Sequence, residues 1–240
     1  MTKQPTCKAD GEKTYSCPCG YTKVEKIAKT NGHTYKTYIT AATTKKDGAT
    51  TVKCSSCGTI KRQTAIKKIL SVNLSKTTLK YNGKTQKPTV TVKNSNGTKL
   101  KEGKDYTVKY SKGCKYVGQY TVTVTFKGKY SGTKTLTFKI VPKGTSISKL
   151  TAGKKQFTAK WSAQTAQTTG YELQYSTSSS MSGAKTVIVG RNKTTSSKVK
   201  KIKGKKKYYV RIRTYKTVKI GGKSVKLYSA WSKVKSVKTK

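Results

Sequence analysis

Acidic residues are nearly missing: seven Asp and Glu face fifty-four Lys and Arg, a formal charge of +47 over 240 residues. Ordinary globular chains keep the two signs roughly balanced. Paired-carboxylate hydrolysis has little to work with, since Asp10 with Glu12 and Glu102 with Asp105 are the close acid pairs and both lie at turns. Arginine is scarce as well: Arg62, Arg191, Arg211 and Arg213 are the whole set, and the remaining bases are lysine. Arginine is the planar fork that reads base edges and grips phosphates bidentately, whereas lysine is a hydrated point charge on a flexible stem. This excludes sequence-specific reading of nucleic acid and points to a diffuse polyanionic surroundings. His33 is the only histidine, so a two-histidine metal site cannot be assembled, and nothing beside it reads as the nucleophile and orienter of a triad. No Gly-rich phosphate loop follows a strand and opens a helix. No run approaches the ~18 apolar residues of a membrane span. The opening MTKQPTCKAD has neither the basic nor the apolar region of a signal peptide, and neither an LPxTG-type sorting motif nor an RGD triplet occurs.

What is present is alternation. Tyr120, Val122, Val124 and Phe126 share one phase while Thr121, Thr123, Thr125 and Lys127 share the other. Leu136/Phe138/Ile140 and Tyr106/Val108/Tyr110 repeat the pattern, as do Phe157/Ala159/Trp161, Tyr171/Leu173/Tyr175, Val187/Val189 and Tyr208/Val210/Ile212. Period-two patterning with one apolar and one polar phase predicts strands with one buried face. Asn82-Gly83, Asn96-Gly97 and Gly221-Gly222 read as turns between them. No segment holds a helical period, so the chain is expected to be all-β. Residues 1–66 carry an internal repeat of period 37. It matches Asp10-Gly11 to Asp47-Gly48, Cys17 to Cys54, and Cys19-Gly20 to Cys57-Gly58 after a one-residue gap. Each unit reads as a D-G turn, a short strand and a cysteine pair closed by Gly. Units this small cannot bury a core and call for a crosslink. The expected organisation is a Cys-rich hairpin region over 1–66, a β-sandwich over 67–142 and a second sandwich over 143–240, with Pro142-Lys143-Gly144 as the linker.

Particular residues carry resemblances. Trp161, the GYELQY segment at 170–175, Ile202 with Tyr208 at the spacing of a tyrosine corner, YVRIR at 209–213 and YSAWS at 228–232 make residues 145–240 resemble a fibronectin type III domain. Gly204 departs from that pattern, where the family often has Pro. The Y-N-G-K start at 81, L-x-x-G-x-D-Y-x-V-x-Y at 100–110 and V-x-V-x-F-K-G-x-Y-x-G at 122–132 resemble the immunoglobulin-like repeats of Gram-positive bacterial surface proteins. Residues 5–58 are similar to the short DG…CxxCG…GH repeats found beside such modules. The first copy has C-x-C at Cys17 and Cys19, and the second has Thr44 in place of the leading Cys. The resemblance implies an exported, multi-modular cell-surface or cell-wall protein, of which this chain is a mature or excised piece; a cytosolic basic protein is the alternative.

The cysteines are the site to examine. Cys17, Cys19, Cys54 and Cys57 could furnish four thiolates to a tetrahedral structural zinc. A second set, Cys7, Cys17, Cys19 and His33, would make a Cys3His site and leave Cys54 and Cys57 as a pair. Disulfides in an oxidising compartment are the third option. All three are structural rather than catalytic, since a four-ligand site leaves no open position. Cys114 in SKGCKYVG has no evident partner in the sequence and reads as an unpaired loop thiol or an intermolecular crosslink. Trp161, Tyr208 and Trp231 suit core or corner positions better than a carbohydrate platform. Glu172 falls on the outward phase of its strand. The expected function is therefore non-catalytic: an extracellular spacer or adhesion segment held to anionic cell-wall polymers, or other polyanions, by lysine charge. The alternatives are non-specific nucleic-acid binding, and an adhesin that takes a host protein or glycan on loops 111–119, 176–184 or 218–226.

Overall fold

The computed structural model describes residues 2–30 and 32–240, and every regular element among them is a strand. Among the described residues no helix is long and apolar enough to cross a membrane. The chain divides into two compact units, one of residues 1–73, 91–108 and 124–134, the other of residues 74–90, 109–123 and 135–240.

The Cys-rich region forms two small antiparallel sheets. Strands β1 (Thr2–Lys3), β2 (Gly11–Ser16) and β3 (Thr22–Ile27) lie in that order, and β4 (Tyr35–Thr40), β5 (Gly48–Cys54) and β6 (Ile60–Ile66) repeat the arrangement. Little is buried here beyond Gly11, Ala42, Gly48, Cys54 and Ile66. The D-G pairs differ from the expected turns. Gly11 and Gly48 open strands with ordinary backbone, and glycine is required by close approach. A Cβ on Gly48 would stand 2.2 Å from the Thr40 carbonyl oxygen and 2.5 Å from the Ala42 nitrogen, and one on Gly11 would meet Lys3 and Pro5 in the same way. The turns of both hairpins are the cysteine knuckles themselves. Asp10 accepts the Lys29 amide at 2.6 Å and pairs with Lys26 at 2.8 Å; Asp47 accepts the Lys68 amide at 2.8 Å and pairs with Lys67 at 3.1 Å.

The middle of the chain carries β7 (Ile69–Leu74), β8 (Thr78–Lys80), β9 (Val90–Asn94), β10 (Tyr106–Tyr110), β11 (Gly118–Phe126) and β12 (Thr133–Val141). They form a two-stranded β7–β9 sheet and a four-stranded sheet in the order β10-β11-β12-β8, with β8 parallel to β12. Val122, Val124, Phe126, Phe138 and Ile140 are buried and their alternating neighbours are not, as the period required.

The last strands are β13 (Ile147–Gly153), β14 (Gln156–Trp161), β15 (Gly170–Ser176), β16 (Lys185–Val189), β17 (Ser196–Val199), β18 (Lys207–Ile220), β19 (Lys223–Tyr228) and β20 (Lys235–Lys238). One sheet runs β13-β14-β17; the other runs β16-β15-β18-β19, with β20 also paired to β18. Their inward phases meet in a core built on Ile147, Phe157, Trp161, Tyr171, Leu173 and Ile212. The expected tyrosine corner is present: the Tyr208 hydroxyl accepts the Lys203 amide at 3.0 Å and Ile202 packs on the core. The Pro142–Gly144 linker is docked. Pro142 is buried, and the Lys143 carbonyl accepts the Thr214 hydroxyl at 2.9 Å.

Two readings need correction here and one needs completing. Glu172 does leave the core face, yet it is buried, because Arg213 reaches over it with a 2.9 Å ion pair. Trp231 is half-buried rather than core; Arg211 and Arg213 stack on its ring at 4.4 and 4.2 Å, and Arg213 lies 3.7 Å from the centre of the Tyr228 ring. Residues 218–226 are not a loop but a strand hairpin turned at Gly221-Gly222, where both residues have the left-handed backbone glycine tolerates.

Candidate metal centre

Each donor of the centre is set by local backbone. Cys7 sits in a turn closed by the Thr6 amide on the Ala9 carbonyl at 2.9 Å, and the Thr6 hydroxyl accepts the Ala9 amide at 3.0 Å. Cys54 and Cys57 form the knuckle between β5 and β6. The Cys54 amide donates to Thr59 at 2.9 Å, the Gly58 amide returns to Cys54 at 3.0 Å, and Gly58 takes φ 74° to close the loop. His33 precedes β4, and the neighbouring Thr34 carbonyl accepts both the amide and the hydroxyl of Ser55, at 2.9 and 3.2 Å. That clasp carries the imidazole to the knuckle. Cys57 Sγ lies 3.4 Å from His33 Nδ1 and Cys7 Sγ lies 3.4 Å from Cys54 Sγ. All four donor atoms fall within 4.8 Å of one another. Ligands at ordinary Zn–S and Zn–N distances around one tetrahedral ion stand roughly 3.5–3.8 Å apart. The group could therefore hold a metal ion with little movement.

The electrostatics divide the thiols. Cys7 is pushed up to about 12, first by its hydrogen bond with Cys57 and then by burial. Cys54 is brought down to about 7 by the Cys57 backbone amide, which favours its thiolate, and Cys57 is lowered by its hydrogen bond with Cys7. The shifts favour the thiolate at Cys54 and Cys57 and hold the proton on Cys7, the division expected of thiols crowded together without a cation. A divalent ion would release that proton.

The structure gathers neither expected ligand set whole. Cys54 and Cys57 come from the first set, Cys7 and His33 from the second. Cys17 and Cys19 stand on the β2–β3 turn, both exposed, with the Cys19 amide 3.4 Å from Cys17 Sγ. The regrouping follows from the repeat: the leading cysteine of the first copy reaches forward to the knuckle of the second. Cys114 is buried and donates to the Ser111 carbonyl at 3.1 Å, so its sulfur does not face a partner molecule. All six cysteines are free thiols. Sequence reasoning also passed over Thr59, whose hydroxyl lies 3.2 Å from Cys57 Sγ, and the exposed tyrosines Tyr15, Tyr21, Tyr35 and Tyr38. Lys13, Lys53 and Lys61 lie over the Tyr15, Tyr38 and Tyr35 rings at 4.5 to 5.1 Å. A tyrosine on the polar phase of a short strand was the available signal.

Comparison with known proteins bears on the last part of the chain. Residues 141–230 match the family model of the fibronectin type III domain. That segment is a fibronectin type III domain. Its tyrosine corner and the Trp161–Tyr171 ring pair, 5.3 Å apart, belong to the segment so matched. No curated protein sequence matches the chain. Solved structures that match the chain include the FN1–FN3 domains of chicken CNTN1, at 13% identity and TM-score 0.35, covering 96% of this chain and 77% of that one. A segment of titin follows at 12% and 0.29, covering 95% and 82%. A two-domain fibronectin type III segment of chicken tenascin stands at 16% and 0.35, covering 87% and 100%. Likeness at that level says nothing about what this chain binds.

Proposed function

We propose that this protein is a non-catalytic, extracellular segment of a modular cell-surface or cell-wall protein, a spacer or adhesion element held on anionic wall polymers by its lysines. One observation carries the reading. No lysine is buried: Lys53, Lys67, Lys68 and Lys216 are half-buried and all others are exposed. Among the described residues just three ion pairs form, Lys26–Asp10, Lys67–Asp47 and Arg213–Glu172. Nearly all the positive charge thus lacks a counter-charge within the chain, and self-repulsion of that size is relieved by an external polyanion. Two of the four arginines, Arg211 and Arg213, are occupied by Gln174, Glu172 and the Trp231 ring, which leaves lysine to meet the partner. Many weak lysine contacts summed along a polymer give retention that salt reverses. The fibronectin type III segment supports the extracellular, non-catalytic reading, since such modules generally serve as scaffolding outside the cell. The acids point the same way: Asp10, Asp47 and Glu172 are spent on structural contacts, and the lone histidine faces the cysteines.

The Cys7, His33, Cys54 and Cys57 group is read as a structural zinc centre. Three sulfurs can close one disulfide and would strand the third, and a disulfide has no use for the imidazole; a single ion uses all four donors. Two small sheets with hardly any core then gain the crosslink they need. The exposed tyrosines give a second reading some footing, because aromatic rings among lysines also suit single-stranded nucleic acid.

Co-sedimentation with cell-wall material rich in phosphate polymers, at low and high salt, tests the main reading. Binding at low salt that is released by high salt, with no preference for DNA in competition, is expected. Salt-independent binding, no binding, or a clear preference for DNA would sink it. One equivalent of zinc per chain in metal analysis supports the centre.

A further inference from the structure

One end of the fibronectin type III segment holds a cleft whose charge is all of one sign. Strand β15 ends at Ser176, and Lys185 opens β16 directly across from Tyr175. The turn between these strands makes one wall, and the connection KIKGKK over 201–206 makes the other. The floor is Tyr175 and Tyr208, whose rings meet edge to face at 6.1 Å. The space between the walls is about 480 Å³, within the range of small-molecule sites, roughly 300–1,000 Å³. Lys185, Lys201, Lys203 and Lys206 line it, no Asp or Glu does, and none of those lysines enters an ion pair among the described residues. A concave site with low-dielectric walls and one sign of charge focuses its field on whatever enters.

Both walls are pinned by the chain's own hydrogen bonds. The Ser176 hydroxyl donates to the Ser182 carbonyl at 2.6 Å and accepts the Ser178 amide at 3.0 Å, and Met181 in the same turn is buried. On the other side the Lys203 amide donates to the Tyr208 hydroxyl at 3.0 Å. The Thr239 hydroxyl donates to the Lys203 carbonyl at 2.8 Å and accepts the Lys206 amide at 3.1 Å. Lys201 and Lys205 hold left-handed backbone, at φ 57° and 52°. Glycine adopts that conformation freely and lysine does not. Strain of this kind, held in place by the surrounding structure, gathers at binding sites.

The polar groups left over describe the ligand. Ser176 and Tyr208 are spent on the walls, but the hydroxyls of Tyr175, Thr177 and Ser182 make no hydrogen bond among the described residues. Burial and then Tyr208 push Tyr175 up, so its hydroxyl keeps the proton and can donate. Ammonium groups suit a phosphate as point charges, and hydroxyls set beside them suit a hydroxylated carrier of that phosphate.

We propose that this cleft is a seat for one phosphate group carried on a polyol or sugar, held by Lys185, Lys201, Lys203 and Lys206, with Tyr175, Thr177 and Ser182 reading the carrier's hydroxyls. This rests on reading the lysines as the groups that hold an anionic polymer. It adds a place where a single repeating unit is recognised rather than merely attracted.

An NMR titration of the full, isotope-labelled chain with glycerol 3-phosphate tests it, at about 150 mM sodium chloride to screen loose contacts. Saturable shifts of the Thr177, Ser182, Lys203 and Lys206 amides are expected, with sulfate binding more weakly at the same place and glycerol alone not binding. K185Q with K206Q should weaken binding about tenfold. K149Q with K198Q, which removes two exposed lysines elsewhere on the segment, should leave it within about twofold. Y175F, which breaks no hydrogen bond of the fold, should lessen the preference for glycerol phosphate over sulfate. Equal losses from the two lysine pairs, or a titration that never saturates, would overturn the proposal. So would equal binding of sulfate and glycerol phosphate that Y175F leaves unchanged, since that is an anion patch only. Co-sedimentation separates this from the reading beneath it. A chain retained on wall material without a saturable site loses the cleft alone, and one that is not retained at all loses the general reading.

Discussion

Gly48 shows how one missing side chain sets the repeat. Its Cα lies so close to the Thr40 carbonyl and the Ala42 amide that a methyl group has no room, and both obstructing atoms are backbone. Gly48→Ala must displace the chain that carries Ala42, which is itself fully buried. The expected cost is about 1–3 kcal/mol, read from urea unfolding, with faster exchange of the Ala42 amide as the local sign. Asp10 and Asp47 act through charge. Asp10 is held below the usual carboxylate range by the Lys26 ammonium and then the Lys29 amide, Asp47 by the Lys68 amide and then by Lys67. A carboxylate depressed in the folded state contributes stability that is complete above its unfolded value, about 3.9, and is lost as pH falls through the lower folded value. Compared with a D10N and D47N double variant under the same metal load, so that loss of metal is common to both, the Cys-rich region should lose its stability advantage on acidification below about pH 4. The D10N and D47N double variant should show a flatter profile over the same range. An unchanged profile would show that these carboxylates do not anchor the repeats.

At the level of elements, strands were legible wherever one face met a core. Tyr120 to Phe126 and Phe157 to Trp161 alternate because the pleat puts every second side chain inside, and burial follows that phase. The corner was legible as well, since Ile202 and Tyr208 stand at a fixed spacing on one short connection. Tyr208→Phe removes the acceptor of the Lys203 amide while keeping the ring. It should cost about 1 kcal/mol in equilibrium unfolding, and a neutral result would mean the corner contributes by packing alone. The candidate metal centre was half legible. Residue types marked cysteines and the single histidine as ligands, but grouping them needed to know which copy each side chain faces. Spacing within a copy favours Cys17 and Cys19, and the backbone clasp of Ser55 on Thr34 decides otherwise. The burial of Glu172 was not legible for a related reason. Strand phase tells which face a residue leaves by, not whether a long arginine from the neighbouring strand will cover it.

Across the whole molecule, the three ion pairs mean that dissolved salt acts twice, with opposite signs. Ions crowding round the lysines weaken attraction to a polyanion, and the same ions quiet the repulsion among the lysines themselves. Thermal unfolding followed from 20 mM to 500 mM sodium chloride should therefore move upward by several degrees, where a fold leaning on its own ion pairs would lose stability. A downward shift would show that the lysines are not repelling one another in the folded chain. Under the proposed role the chain is a ratchet against its own escape: the dilute conditions that strain it most would press it hardest onto a surface, and the brine that frees it would leave it intact to bind again.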